Sequence, residues 1–118
     1  MLKILKVDEI DSKDQLIWSL EMVAELLNKV DIRSIDHEDS TFKSPGELEV
    51  KLDTGEGLQE LEFYFKDTLI YTLNFYSRQL EDSEDLVTDL KVDTEKGLIY
   101  IHNWGRSQES IFIHFNTK

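Results

Sequence analysis

The chain has 118 residues, with 25 acidic side chains against 13 basic ones and a formal charge of -12. That balance disfavours nucleic acid and anionic membrane surfaces as direct partners and favours cationic ones. Hydrophobic residues still make up 40%, enough for one folded domain over residues 1–118, and the absence of cysteine excludes disulfides and a thiol nucleophile.

The opening stretch, Met1 to Val7, meets Asp8-Glu9 too early for a secretory leader, and no apolar run reaches spanning length. A cytoplasmic protein that stays off the membrane is expected. Residues 2 to 7 supply a candidate extra strand. The first strong periodicity follows. Leu16, Leu20, Val23, Leu27 and Val30 recur at helical steps, widened by Ile17 and Ala24. Ser12 with Gln15 forms a capping-box pattern, and Asp11 and Asp14 suit the positive end of a helix dipole. The helix is predicted over about residues 13 to 30, with Trp18 and Met22 on its margin. Residues 31 to 46 hold neither period and read as a long loop, pinned by Ile32, Ile35 and Phe42.

From Glu47 the period becomes two. Leu48, Val50 and Leu52 alternate with Glu47, Glu49, Lys51 and Asp53; Leu61, Phe63 and Phe65 alternate with Glu60, Glu62 and Tyr64. The next strand places Leu69, Tyr71, Leu73 and Phe75 on one face. After the acidic run Glu81 to Asp85, residues 86–92 and 98–104 read as hairpin arms, with Gly97 in a left-handed turn position. Ile111 to Phe115 forms the last strand. Short connections favour antiparallel neighbours, so the predicted fold is α+β: one N-terminal amphipathic helix packed on a five- to six-stranded antiparallel meander sheet.

If Ile99, Ile101, Ile111 and Ile113 face the core, then Tyr100, His102, Trp104, Phe112 and His114 share the outer face. Tyr64, Ile70, Thr72 and Tyr76 would point outward on the middle strands. A half-polar aromatic face of this kind is typical of contact surfaces, with a strongly curved sheet as the competing explanation.

Catalytic patterns are weak. Asp53-Thr54-Gly55 is similar to the triplet that carries the catalytic carboxylate of retropepsin-like aspartic proteases. That family's later apolar-apolar-Gly element finds only Asn103-Trp104-Gly105, so turn chemistry is the better reading. His102 and His114 match no zinc spacing, the run at Asp82 lacks a calcium loop's glycine, and no phosphate-binding loop occurs. No enzyme, metal or cofactor is expected.

The carboxylates support a different chemistry. Glu47/Glu49 and Glu60/Glu62 lie two apart on strands, roughly 6.6 to 6.8 Å along one face. Phosphates recur along nucleic acid at a similar interval, so an acidic sheet can occupy a basic cleft; solvated charge kept for solubility is the simpler alternative. The function expected from sequence is a non-catalytic acidic binding protein of the inhibitor or immunity type. It would neutralise a basic partner such as a toxin, nuclease or nucleic-acid-binding effector. Glu81, Asp82, Glu84 and Asp85 would steer the encounter, and Tyr100, His102, Trp104, Phe112 and His114 would make contact. The alternative is a small-molecule carrier or sensor with an apolar pocket lined by Phe63, Phe65, Tyr71 and Tyr100.

Overall fold

Alternating apolar and polar residues build two antiparallel sheets rather than one. The computed structural model describes residues 4–10, 12–37, 39–76, 88–103 and 109–117. Its elements are β1 (Ile4–Ile10), α1 (Lys13–Leu27), β2 (Val30–His37), β3 (Ser40–Lys43), β4 (Glu49–Thr54), β5 (Leu58–Phe65), β6 (Thr68–Tyr76), β7 (Thr88–Asp93), β8 (Leu98–Asn103) and β9 (Ser110–Thr117). The α+β class with one amphipathic helix is as expected. The single meander is not. One sheet has six strands in the order β1-β7-β8-β9-β2-β3, and the other is the three-stranded meander β4-β5-β6.

The helix begins where its cap is written. Ser12 Oγ accepts the Gln15 N–H at 3.2 Å, and Leu16, Leu20, Val23 and Leu27 face inward. It stops at Leu27, earlier than the periodicity implies, because Val30 belongs to β2. Trp18 is 55% exposed, whereas Met22 packs against the core.

Residues 31 to 46 are not a loop. They contain most of β2 and all of β3, which pair through Ser34–Lys43 to His37–Ser40. An irregularity between Ile32 and Ser34 offsets β2 against β9. Val30, Ile32 and Ile35 therefore all point inward although their spacing is two and then three.

A second irregularity corrects β6. Phe63 pairs with Tyr71 but Tyr64 pairs with Leu69, leaving Ile70 as the extra residue. Leu69, expected inside, is 46% exposed, and Ile70, expected outside, packs against the core. At the β7–β8 turn Gly97 has φ +66 and a Cβ there would run into the Phe115 carbonyl, so the left-handed position requires glycine.

The inner faces feed one contiguous core. Ile99, Ile101, Ile111 and Ile113 of the large sheet join Val50, Leu61, Phe63 and Leu73 of the small one and the apolar stripe of α1. Phe42 of β3 stacks on Tyr71 of β6 with ring centroids 4.5 Å apart, tying the sheets together. The free edge of β4 is tied to the helix by a side chain. Asn28, the C-cap of α1, donates through Nδ2 to the Val50 carbonyl at 2.9 Å and accepts the Val50 N–H through Oδ1 at 2.8 Å. Its amide thus replaces one peptide unit of a neighbouring strand.

Asn28→Ala should leave both buried polar groups of Val50 without these partners and lower unfolding stability by about 2 kcal/mol. Urea denaturation with an unchanged m-value is the check; a loss below about 0.5 kcal/mol would mean water replaces the amide freely.

Candidate functional site

Two outer faces carry the residues of interest, one on each sheet. On the large sheet, cross-strand pairing aligns Lys6, Lys91, Tyr100, Phe112, Asp36 and Thr41 in one row. Tyr100 and Phe112 touch with centroids 4.9 Å apart, and His102 lies beside Tyr100 at 5.9 Å. Phe112 is 37% exposed; Tyr100, His102 and His114 are half-buried. Four of the contact residues expected from sequence therefore share a face. Trp104, Glu81, Asp82, Glu84 and Asp85 lie outside the described residues.

The histidines of this face do not converge. His102 pairs with Ser110 and His114 with Leu98, four residues apart on each strand, or roughly 13 Å along the sheet. His114 Nε2 instead lies 3.1 Å from Asp36 Oδ2, while the Thr41 hydroxyl donates to Asp36 Oδ1 at 2.9 Å. The Thr41 bond first, then the His114 bond, holds the Asp36 carboxyl below its ordinary range. Another histidine–carboxylate contact, His37 to Glu109 at 2.7 Å, closes one end of the β2–β9 pair.

The small sheet carries a different chemistry outside. Inward Val50, Leu52, Leu61 and Phe63 force Glu49, Lys51, Asp53, Glu60, Glu62 and Tyr64 outward. Asp53 stands directly across from Glu60, and Glu62 is two residues further along the same face. One carboxylate oxygen from each of Asp53, Glu60 and Glu62 lies within 4.8 Å of the others. These side chains converge more tightly than the backbone repeat, so this group is a cluster and not an even phosphate-like ladder. Two unit charges at that distance repel by about 0.9 kcal/mol even in bulk water.

The cluster responds in its protonation. Desolvation, then the hydrogen bond and charge of Glu62, then the charge of Asp53, push the Glu60 pKa above its ordinary 4.5. Tyr64 donates its phenol to Glu62 Oε1 at 3.0 Å, and that bond is the main cause of its raised pKa. Lys51 faces Glu62 in register, yet its ammonium sits 3.6 Å from Glu49 and 5.0 Å above the Tyr64 ring. Sequence reading found Glu60 and Glu62 as a pair and treated Asp53 separately. The hairpin turn at Gly55, whose N–H bonds the Leu58 carbonyl at 2.9 Å, sets the register that joins them.

At the other end of the same sheet a groove of about 540 Å³ opens between Asn28, the start of β4 and the β5–β6 turn. The four residues proposed as an apolar pocket do not share it. Phe65 reaches the groove, but Phe63 is wholly buried in the core, Tyr71 stacks on Phe42, and Tyr100 belongs to the outer face of the other sheet. No helix among the described residues is long and apolar enough to cross a membrane. No protein-family model, curated protein or solved structure matches the chain, so its function rests on this geometry.

A raised folded-state pKa means Glu60 favours folding fully below about pH 4.5, and that contribution is lost as pH rises through the folded value. Glu60→Gln should therefore raise stability at pH 7 by about 0.5 kcal/mol, the scale of a cross-strand like-charge contact. The difference should shrink as pH falls through the carboxylate range and Glu60 becomes protonated in both states. Urea titrations of both proteins from pH 3 to pH 8 test the sign. A variant no more stable at pH 7 would show that the cluster carries no penalty.

Proposed function

We propose that this protein is a non-catalytic binding protein for a basic protein partner. Its most specific form is an inhibitor or immunity-type protein that neutralises a toxin, nuclease or nucleic-acid-binding effector in the cytoplasm. The observation that carries this reading is the convergence of Asp53, Glu60 and Glu62 within 4.8 Å on an outward sheet face. Solubility alone needs charge, but it is served best by charge spread apart. Crowding three carboxylates on one face opposes folding and creates a local potential that a lysine or arginine from outside would relieve.

The sheet with the aromatic row suits a cationic partner less well. Lys91 stands beside Tyr100 in that row with Lys6 one strand beyond it, and Asp36 is engaged by His114 and Thr41. In this proposal the small sheet makes the first electrostatic contact. Tyr100 and Phe112, with His102 and His114 at their flanks, form a separate surface for less charged contacts. The alternative of a small-molecule carrier has less support: Phe63 and Tyr71 pack on each other, whereas Phe65 lines the groove and Tyr100 lies on the other sheet.

The decisive comparison neutralises equal charge at two places. Glu60→Gln/Glu62→Gln should weaken binding of a fluorescent hexa-arginine peptide roughly three- to tenfold and flatten its salt dependence. Glu21→Gln/Glu25→Gln, on the exposed side of α1, should change it less than twofold. Equal losses from both pairs would reduce the protein to a diffuse polyanion and overturn the proposal.

A further inference from the structure

We infer that the groove between α1, the start of β4 and the β5–β6 turn receives an arginine side chain of the basic partner. This rests on the reading above that the partner is cationic, and it names the seat. The groove holds about 540 Å³, room for a side chain and part of its backbone. Its lining combines the two things a guanidinium uses, aromatic faces and carboxylates.

The aromatic part is Tyr64 and Phe65. Both rings already attract cations of the chain itself. Lys51 Nζ stands 5.0 Å from the Tyr64 centroid, and Lys66 Nζ stands 5.2 Å from the Phe65 centroid. Phe65 also packs closely against Gly46, where a Cβ would stand 3.0 Å from Phe65 Cε1. Leu48 adds buried apolar surface against which a three-carbon stem can lie.

The charged part is Glu47, Glu49 and Asp67 against two ammoniums, Lys66 in the lining and Lys51 beside it at 3.6 Å from Glu49, so the lining keeps one net negative charge. The C-terminal, negative end of the α1 dipole also reaches the groove through Asn28. Arginine fits this mixture better than lysine: its planar head stacks on a ring while its fork bonds a carboxylate.

The turn beside the groove carries a conformational cost of its own. Lys66 and Asp67 occupy the β5–β6 turn at φ 48 and φ 66, both left-handed. Asn-Gly or Gly-Gly would sit there at less steric cost. The two turn residues thus place one cation and one carboxylate at the groove.

Titrating the full chain with hexa-arginine and with hexa-lysine, followed by amide NMR shifts, separates this inference from the general reading. Hexa-arginine should bind roughly three- to tenfold tighter than hexa-lysine, with the largest shifts at Leu48, Glu49 and Asp67. Phe65→Leu should erase that preference. Should Phe65→Leu disturb the fold, Asp67→Gly keeps the test intact. Glycine relaxes the turn, so Tm should rise by a few degrees while hexa-arginine binding weakens. Equal affinity for the two peptides, or shifts confined to Asp53, Glu60 and Glu62, overturns the groove and leaves cationic recognition standing. Free arginine binding as tightly as hexa-arginine also overturns it, in favour of a small-molecule site. Salt-insensitive or undetectable binding of both peptides defeats the groove and the basic-partner reading together.

Discussion

A three-stranded sheet is too small to cover its own apolar face, and β4-β5-β6 therefore depends on being closed by the rest of the chain. The cover comes from α1 and the inner face of the large sheet, joined in one core through residues such as Leu61, Phe63, Ile99 and Ile113. At the helix contact a side-chain amide completes the hydrogen bonding of Val50, so the edge of β4 meets α1 without stranding a buried peptide group there. This union fixes which side of β4 and β5 is dry. Because strand side chains alternate, burying Val50, Leu61 and Phe63 obliges Lys51, Glu60 and Glu62 to stand outside. Core formation and anion crowding are two results of one alternation.

Much of this architecture is legible in the amino-acid sequence. The helix start, the strands from Glu49 onward and the inward isoleucines of β8 and β9 follow from simple periods. The missed elements share a cause. In β2 the inward residues Val30, Ile32 and Ile35 straddle an offset, so no single period spans them, and the intervening Asp31, Arg33 and Ser34 resemble loop residues. The exchange of Leu69 and Ile70 has the same origin in β6. Division into two sheets was hidden for a different reason. A short connection says which strands are neighbours but not where a sheet ends, and the pairings β1–β7 and β2–β9 join segments far apart in sequence.

The candidate site was legible only in pieces. Glu60 and Glu62 are visible as an i, i+2 pair, whereas the third member, Asp53, comes from another strand. Its place depends on cross-strand register, and that register is set by a glycine-containing turn whose hydrogen bonding sequence alone does not show. The Tyr100–Phe112 contact was easier, because inward isoleucines on both strands leave the intervening rings only one side to occupy. What could not be read was that rings and clustered carboxylates belong to different sheets. The outer residues thus form two surfaces with different chemistry.

That separation changes how recognition would proceed. Long-range attraction depends on local charge, so the small sheet would orient an approaching cation, but exposed ion pairs alone hold little. Retention needs a desolvated contact, and in the proposed reading the groove would offer one beside the same sheet, between Leu48 and the Phe65 ring. Rigidity there has a structural source. Asn28 lines the groove while both ends of its amide hold β4, and Gly46 lets the backbone close against Phe65. Walls already fixed by the fold need not be ordered on binding, which lowers the entropy lost when a flexible cationic side chain enters. The Asn28 amide that joins helix to sheet therefore also prepares the surface at which a partner would be held.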